Sequence, residues 1–341
     1  MTLLTPYPAD GPAAARRRTP AAMPAAPCVL PEPRQAPDAQ DLLDPALHWM
    51  RQGDAERGMR AAIEGLATLR AGSGDAWPSV VANEVLTHPL RAVLHQCPFT
   101  RHSFERPRGY AGDAALIDYI YGTREEALPP LAPLAADIHR LALLAPAPRA
   151  VRHRRARLAE AVDATALRCP RGARVLALAA GHLREWALSE AAAGGALAEW
   201  VAFDQDPLSV ALVERQYGGR GVTAIPGSVR ELLTGRRRFE GYDLVYAAGL
   251  FDYLTEPVAR RLIELMHAAL APGGRLLVAN FLPGIADIGY MESMMHWHLI
   301  YRSHGQMQGL FDTVTEASRS TLTLDTDPDF NVVYAELTRA G

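Results

Sequence analysis

Ala173-Arg174-Val175-Leu176-Ala177-Leu178-Ala179-Ala180-Gly181-His182-Leu183-Arg184-Glu185 is an apolar run that breaks at one glycine and then turns helical. A short Val/Leu/Ala run fits a strand buried on both faces, and Gly181 lets the main chain approach a ligand closely. The pattern predicts strand, tight turn, helix. Ala198 to Phe203 reads as a second strand, closed by Asp204 and followed by Gln205. Asp204 falls about 25 residues after the turn, close to the spacing at which an acidic residue reaches a ribose hydroxyl. A glycine turn at a strand end is common, and this one alone names no nucleotide.

Outward from this stretch the alternation continues. Ser209 to Tyr217 reads as a helix and Val222 to Ile225 as a strand, with Gly227-Ser228-Val229-Arg230 as the turn after it. Tyr242 to Ala248 is a further strand ending at Gly249-Leu250-Phe251-Asp252-Tyr253, and Pro257 to Leu270 is helical. Pro272-Gly273-Gly274 turns into another buried strand, Arg275 to Phe281. Thr321 to Leu324 and Asn331 to Leu337, joined by an Asp/Pro turn, suggest an antiparallel hairpin at the sheet edge.

Before the first strand the pattern is helical. Met59, Ile63, Leu66 and Leu69 recur at three and four residues until Gly72-Ser73-Gly74 ends the helix. The expected organisation is a flexible tail or lid over residues 1–38, a helical cap domain over 39–148, and a Rossmann-like domain over 149–341. Its sheet is doubly wound, of about seven strands. Arg152 to Arg168 reads as a basic helix with a solvated face.

The chain has 341 residues, 49% of them hydrophobic, and a net charge of −3. It is long enough for a full core, and neither a basic stripe nor a positive balance points to nucleic acid. It contains no lysine: all 35 basic residues are arginine, which excludes Schiff-base chemistry on lysine. Three cysteines, Cys28, Cys97 and Cys169, stand far apart and in no ligand spacing. They argue against a disulfide framework or a zinc site and fit a reducing cytoplasm. No apolar run approaches the ~18 residues of a membrane span. A small-molecule partner, no metal, and no membrane or nucleic-acid partner are therefore expected.

The loop Arg106-Pro107-Arg108-Gly109-Tyr110-Ala111-Gly112-Asp113 has two readings. As a structural turn, Asp113 caps the helix that follows, which accounts for Gly and Asp but not for Arg108 beside Tyr110. As a loop folded over a ligand, Arg108 meets a carboxylate and Tyr110 a cation.

The order of these signals resembles a class I S-adenosylmethionine (SAM) methyltransferase from about residue 150 onward. The resemblance implies SAM as cofactor. Ala179, Gly181 and His182 would lie by its methionine part, Asp204 and Gln205 by the ribose, and Gly227, Ser228 and Val229 by the adenine. Ala248, Gly249 and Phe251 would follow at the end of the fourth strand. Over nearly the whole chain, the Arg106–Asp113 loop, the run from Ala248 to Leu254 and Trp297-His298-Leu299-Ile300-Tyr301-Arg302 are similar to a bacterial group named for 3-hydroxypalmitate methyl ester biosynthesis. That group includes enzymes that cyclise SAM to azetidine-2-carboxylate with release of methylthioadenosine.

Two departures bear on the reaction. Ala177 stands where class I enzymes carry an acid in the first strand, and the three-glycine turn is reduced to Ala179-Ala180-Gly181. Without a carboxylate beside it the substrate ammonium loses its proton more readily, so Ala177 favours cyclisation unless Glu185 or Asp252 takes over. Arg108, Tyr110, Tyr290, Trp297 and Tyr301 are the expected catalytic residues, with the aromatic faces around the sulfonium. Core packing is the competing reading for these aromatics, because Met291, Met294, Met295, His298 and Tyr301 repeat at helical spacing. The sequence thus leads with cyclisation in bacterial secondary metabolism, with methyl transfer to a small molecule and a non-catalytic SAM-binding module as alternatives.

Overall fold

The computed structural model describes residues 38–341. The expected tail over residues 1–38 lies outside these, apart from Asp38, whose carboxylate caps the first helix through Gln40 N at 2.8 Å. Residues 38–341 belong to one compact unit, and the 148/149 boundary expected from sequence falls near the start of the helix Pro146–Arg168.

Seven strands form one sheet: β1 Ala173–Leu178, β2 Leu197–Asp204, β3 Val222–Pro226, β4 Tyr242–Ala247, β5 Leu270–Phe281, β6 Thr321–Thr326 and β7 Val332–Thr338. Their order is β3-β2-β1-β4-β5-β7-β6. β1 to β5 run parallel, while β7 pairs antiparallel with β5 and with the edge strand β6. This is the Rossmann-like, doubly wound arrangement with a C-terminal hairpin that the sequence predicted. The hairpin inserts β7 inside the sheet and leaves β6 at that edge, opposite β3 at the other, and the β6 side chains alternate between exposed and half-buried.

Period-two burial sorts the strands between two cores. Val175, Ala177, Trp200, Ala202, Leu244 and Tyr246 face the N-terminal helices and Pro146–Arg168. Leu176, Leu178, Val201, Phe203, Val245 and Ala247 face the helix Glu256–Ala269. Strands buried on both faces read as continuous apolar runs for this reason.

The helical region belongs to the first core. Helices Ala39–Arg51 and Ala55–Ser73 bury Leu43, Leu47, Met50, Met59, Leu66 and Leu69 at helical spacing, and Asp54 caps the second through Arg57 N at 3.0 Å. They reach the far end of the chain through Glu292, a buried carboxylate on the helix Ile288–Met294. Arg70 grips it with Nε at 2.6 Å and Nη2 at 3.1 Å, and Trp77 Nε1 donates at 2.8 Å.

At Gly289 this helix meets Ala55–Ser73 backbone to backbone: a Cβ there would stand 2.6 Å from the carbonyl oxygen of Leu66. Gly289→Ala must push the two helices apart. Urea denaturation is expected to show a loss of about 1–3 kcal/mol, as overpacked cores do; an unchanged midpoint would refute this close approach.

Candidate functional site

The sheet order reverses direction between β1 and β4, where an open α/β sheet leaves a crevice beyond its strand ends. A cavity of about 640 Å³ occupies that place. Its floor is the turn Ala179–Gly181 after β1, Asp204 and Gln205 at the end of β2, Gly227 and Val229 after β3, and Ala248 and Gly249 after β4. Its roof is the Arg106–Asp113 loop with Tyr110, the helix Ala114–Tyr121, and the segment His296–Leu299.

The turn after β1 is built on left-handed backbone: φ is +50° at Ala179, +57° at Gly181 and +50° at Leu183. Two of these are not glycine, and such conformations persist only where the surroundings enforce them. Asp204 supplies part of that enforcement, with Oδ2 accepting Gly181 N at 2.8 Å and Oδ1 accepting Asp206 N at 2.8 Å. Burial raises the pKa of Asp204, and these two amide hydrogen bonds oppose the rise.

His182 and the helix above it are joined through Asp118, which is 3% exposed. Asp118 bonds His182 Nδ1 at 2.8 Å, takes Nε and Nη2 of Arg184 at 2.7 and 2.6 Å, and accepts Thr123 Oγ1 at 2.8 Å. Burial alone would raise its pKa; the Arg184 and His182 hydrogen bonds outweigh that and hold it below the usual carboxylate value.

Two further carboxylates line the cavity. Glu185 accepts Tyr246 OH at 2.5 Å, and burial raises its pKa. Asp252 accepts Phe281 N at 2.8 Å, and burial pushes it up to about 6 against the pull of Arg154. Ala177 is the cross-strand partner of Tyr246, so the acid missing from β1 is matched by Glu185, brought to the neighbouring tyrosine by the turn. Aromatic faces complete the enclosure. Trp297 Nε1 donates to Tyr253 OH at 2.7 Å, and Tyr253 OH to Ala111 O at 3.3 Å. Gly112 permits this closure, since a Cβ there would stand 2.3 Å from Tyr253 OH.

Of the residues expected from sequence, the cavity gathers Ala179, Gly181, His182, Asp204, Gln205, Gly227, Val229, Ala248, Gly249, Tyr110 and Trp297. Burial raises the pKa of Tyr110, helped by the nearby Asp204, Asp206 and Asp113 carboxylates. Five do not line it. Arg108 commits Nη1 to Asp206 Oδ2 at 2.6 Å, with Ser209 Oγ and His182 Nε2 each at 3.2 Å, so it anchors the roof to the start of the helix Pro207–Tyr217. Asp113 caps Ala114–Tyr121 through Leu116 N at 2.8 Å, so the structural reading of this loop holds for that residue. Tyr290 is buried with its hydroxyl on Thr100 Oγ1 at 2.8 Å, outside the cavity. Tyr301 has a buried hydroxyl with no partner among the described residues. Phe251 is fully buried in the second core, and Ser228 caps a short helix with Glu231.

The sequence reading missed Arg154, which lines the cavity and is 6% exposed, on a helix taken as solvated. The signal was present: Arg154 lies three residues after Val151 and four before Leu158, on the apolar stripe of that helix. Arg302, in the run from Trp297, is structural. It donates to Phe251 O and Asn280 Oδ1 at 2.7 Å each, and to Leu254 O, and so fixes the turn that carries Asp252.

His153, Asp327 and Asp329 bring ligand atoms within 4.8 Å of one another. Asp327 Oδ1, however, accepts the amides of Asn331 and Val332 at 2.6 Å each, and Arg149 stands 3.2 Å from Asp329, the pattern of a capped hairpin turn. No helix of the described residues is long and apolar enough to cross a membrane.

Neither the protein-family models nor the curated proteins contain a match to this chain. Among solved structures, it is similar to a possible exported protein from Bordetella parapertussis, with a TM-score of 0.53 and 21% identity over 67% of this chain and 80% of that one. It is also matched by magnesium protoporphyrin IX methyltransferase from Synechocystis PCC 6803, at TM-score 0.43 and 11% identity over 57% and 87%. An O-methyltransferase family 2 protein from Planctomyces limnophilus follows at 0.39 and 15% over 50% and 51%. The first likeness bears on the fold alone, and the other two are too loose to carry an argument.

Replacing Asp118 by Asn leaves the buried Arg184 guanidinium without its counter-charge. The expected cost is about 3–5 kcal/mol of unfolding free energy, the range for breaking one side of a buried ion pair. A urea titration showing less than about 1 kcal/mol would mean that Asp118 is not the tie between roof and floor.

Proposed function

We propose that the chain is a SAM-dependent methyltransferase acting on a small molecule. The observation that carries this is the cavity at the sheet's switch point, with Asp204 at the end of β2 and the glycine turn, Glu185 and Asp252 gathered around it. Its donor set suits SAM. Asp204 would hold the ribose hydroxyls, Gly227 and Val229 would flank the adenine, and Glu185 or Asp252 would face the ammonium. The faces of Tyr110, Tyr253 and Trp297 would surround the sulfonium. When bound, SAM supplies a methyl carbon on a leaving group that is already activated. The protein's part is to hold donor and acceptor in line and exclude water, and the roof loop pinned by Arg108, Tyr253 and Trp297 serves that end.

Glu185 and Asp252 in the cavity remove the main reason for preferring cyclisation, which was the missing acid of β1. One observation still favours that second reading: the buried Arg154 cation in the same cavity would lower the pKa of a neighbouring amine and free it for ring closure to azetidine-2-carboxylate.

Incubation with SAM alone, followed by mass spectrometry, separates the two. Methyl transfer predicts turnover no faster than without enzyme, and S-adenosylhomocysteine once a suitable hydroxyl, amine or carboxylate is supplied. Methylthioadenosine with azetidine-2-carboxylate would establish the second reading, and failure to bind SAM in calorimetry would remove both.

SAM affinity is also expected to depend on pH. Burial pushes the Asp252 carboxyl up to about 6, and only its ionised form attracts the cationic ligand, so affinity falls as pH drops through that value and levels above it. Asp252→Asn is expected to flatten the profile between pH 5 and 8; a wild-type profile already flat there would exclude Asp252 from the binding set.

A further inference from the structure

Among the described residues three arginines are buried, and they are not alike. Arg184 is held by Asp118 and Gln216, and Arg302 by Phe251 O and Leu254 O on the turn after β4 and by Asn280 Oδ1 on β5. Arg154 makes no hydrogen bond to any described residue. Its nearest carboxylate oxygen, Asp252 Oδ2, is 3.8 Å from Nη1, beyond hydrogen-bond reach. The ring of Phe281 lies 5.9 Å from its Cζ, and Gly249 presents it with no side chain, since a Cβ there would stand 3.5 Å from Nη2.

A guanidinium has five N–H donors and does not give up its charge, so burying it without acceptors is costly. For Arg184 and Arg302 the fold supplies acceptors. At Arg154 it leaves them out and turns the group toward a cavity that Glu185 and Asp252 also line. A fork of donors beside two carboxylates is the complement of an α-amino acid, with carboxylate on the cation and ammonium on the acids.

We propose that Arg154 is the carboxylate-binding residue of the cavity and that it recognises the carboxylate of an α-amino-acid group. This rests on the reading of the cavity as a SAM site and takes over the role expected of Arg108, whose Nη1 is held by Asp206. Two sources present that chemistry, the methionine part of SAM and an amino-acid acceptor.

Calorimetry on Arg154→Met, which keeps the side chain's packing against Phe281, and on Arg154→Lys tests this, with thermal midpoints as the folding control. The ligands are SAM, decarboxylated SAM and methylthioadenosine, the last two lacking the carboxylate. If the methionine part is the source, Arg154→Met weakens SAM roughly tenfold or more while the other two bind as to wild type, and Arg154→Lys falls between. If an acceptor is the source, SAM affinity is unchanged, and wild type filled with S-adenosylhomocysteine binds a member of a panel of standard amino acids that Arg154→Met does not.

Should Arg154→Met fail to fold, Arg154→Lys decides on both arms, and a wild-type ratio of SAM to decarboxylated-SAM affinity together with wild-type binding of the amino-acid panel overturns the proposal. Variants that bind every ligand as wild type does overturn it while leaving the SAM reading intact. A wild-type chain that binds neither SAM nor methylthioadenosine overturns the SAM reading itself and this proposal with it.

Discussion

The buried carboxylate of Asp118 is the tie on which the site depends. It belongs to the helix Ala114–Tyr121, yet its partners His182 and Arg184 lie 64 and 66 residues onward, in the turn after β1. Through it the roof loop's helix and the floor of the cavity are one body. A paired carboxylate in a desolvated place is not by itself a source of stability; what it contributes is a single allowed arrangement, because any other leaves a charge buried and unpaired. Arg108 repeats the device a few residues away, reaching from the roof to Asp206, and Glu292 does so at the far end with Arg70. Three ion pairs thus close the helical region onto the sheet, around a cavity left for a ligand.

Inside that enclosure charges of both signs line one cavity. Asp204 stands at the end of β2, Glu185 and Asp252 line the same cavity, and the Arg154 guanidinium lies by Gly249 and the ring of Phe281. Ala177 pairs across the sheet with Tyr246, whose hydroxyl holds Glu185 from the segment after β1. Burial that raises the pKa values of Glu185 and Asp252 makes the charge state of the cavity sensitive to what enters it.

Much of this was legible in the chain where the signal is local. The strand–turn–helix around Gly181, Asp204 at the next strand end and the closing hairpin all follow from periodicity and turn chemistry, which act over a few residues. The misses share a different cause. Arg108 was aimed at a ligand because its partner Asp206, 98 residues away, has no sequence signature. Tyr290 and Phe251 look like site aromatics, and nothing in their spacing tells an inward-facing ring that packs from one that lines a cavity. Arg154 is the opposite case. A charged residue on the apolar stripe of Pro146–Arg168 is visible in the sequence, but the basic composition of the helix around it points to a solvated face.

The most direct measurement is the electron density of the protein crystallised with S-adenosylhomocysteine. The ligand is expected in the cavity at the switch point, with its ribose on Asp204, its base beside Val229 and its amino-acid end toward Glu185 and Arg154. Density for the ligand elsewhere on the surface, or a cavity that stays empty at saturating ligand, would contradict the account.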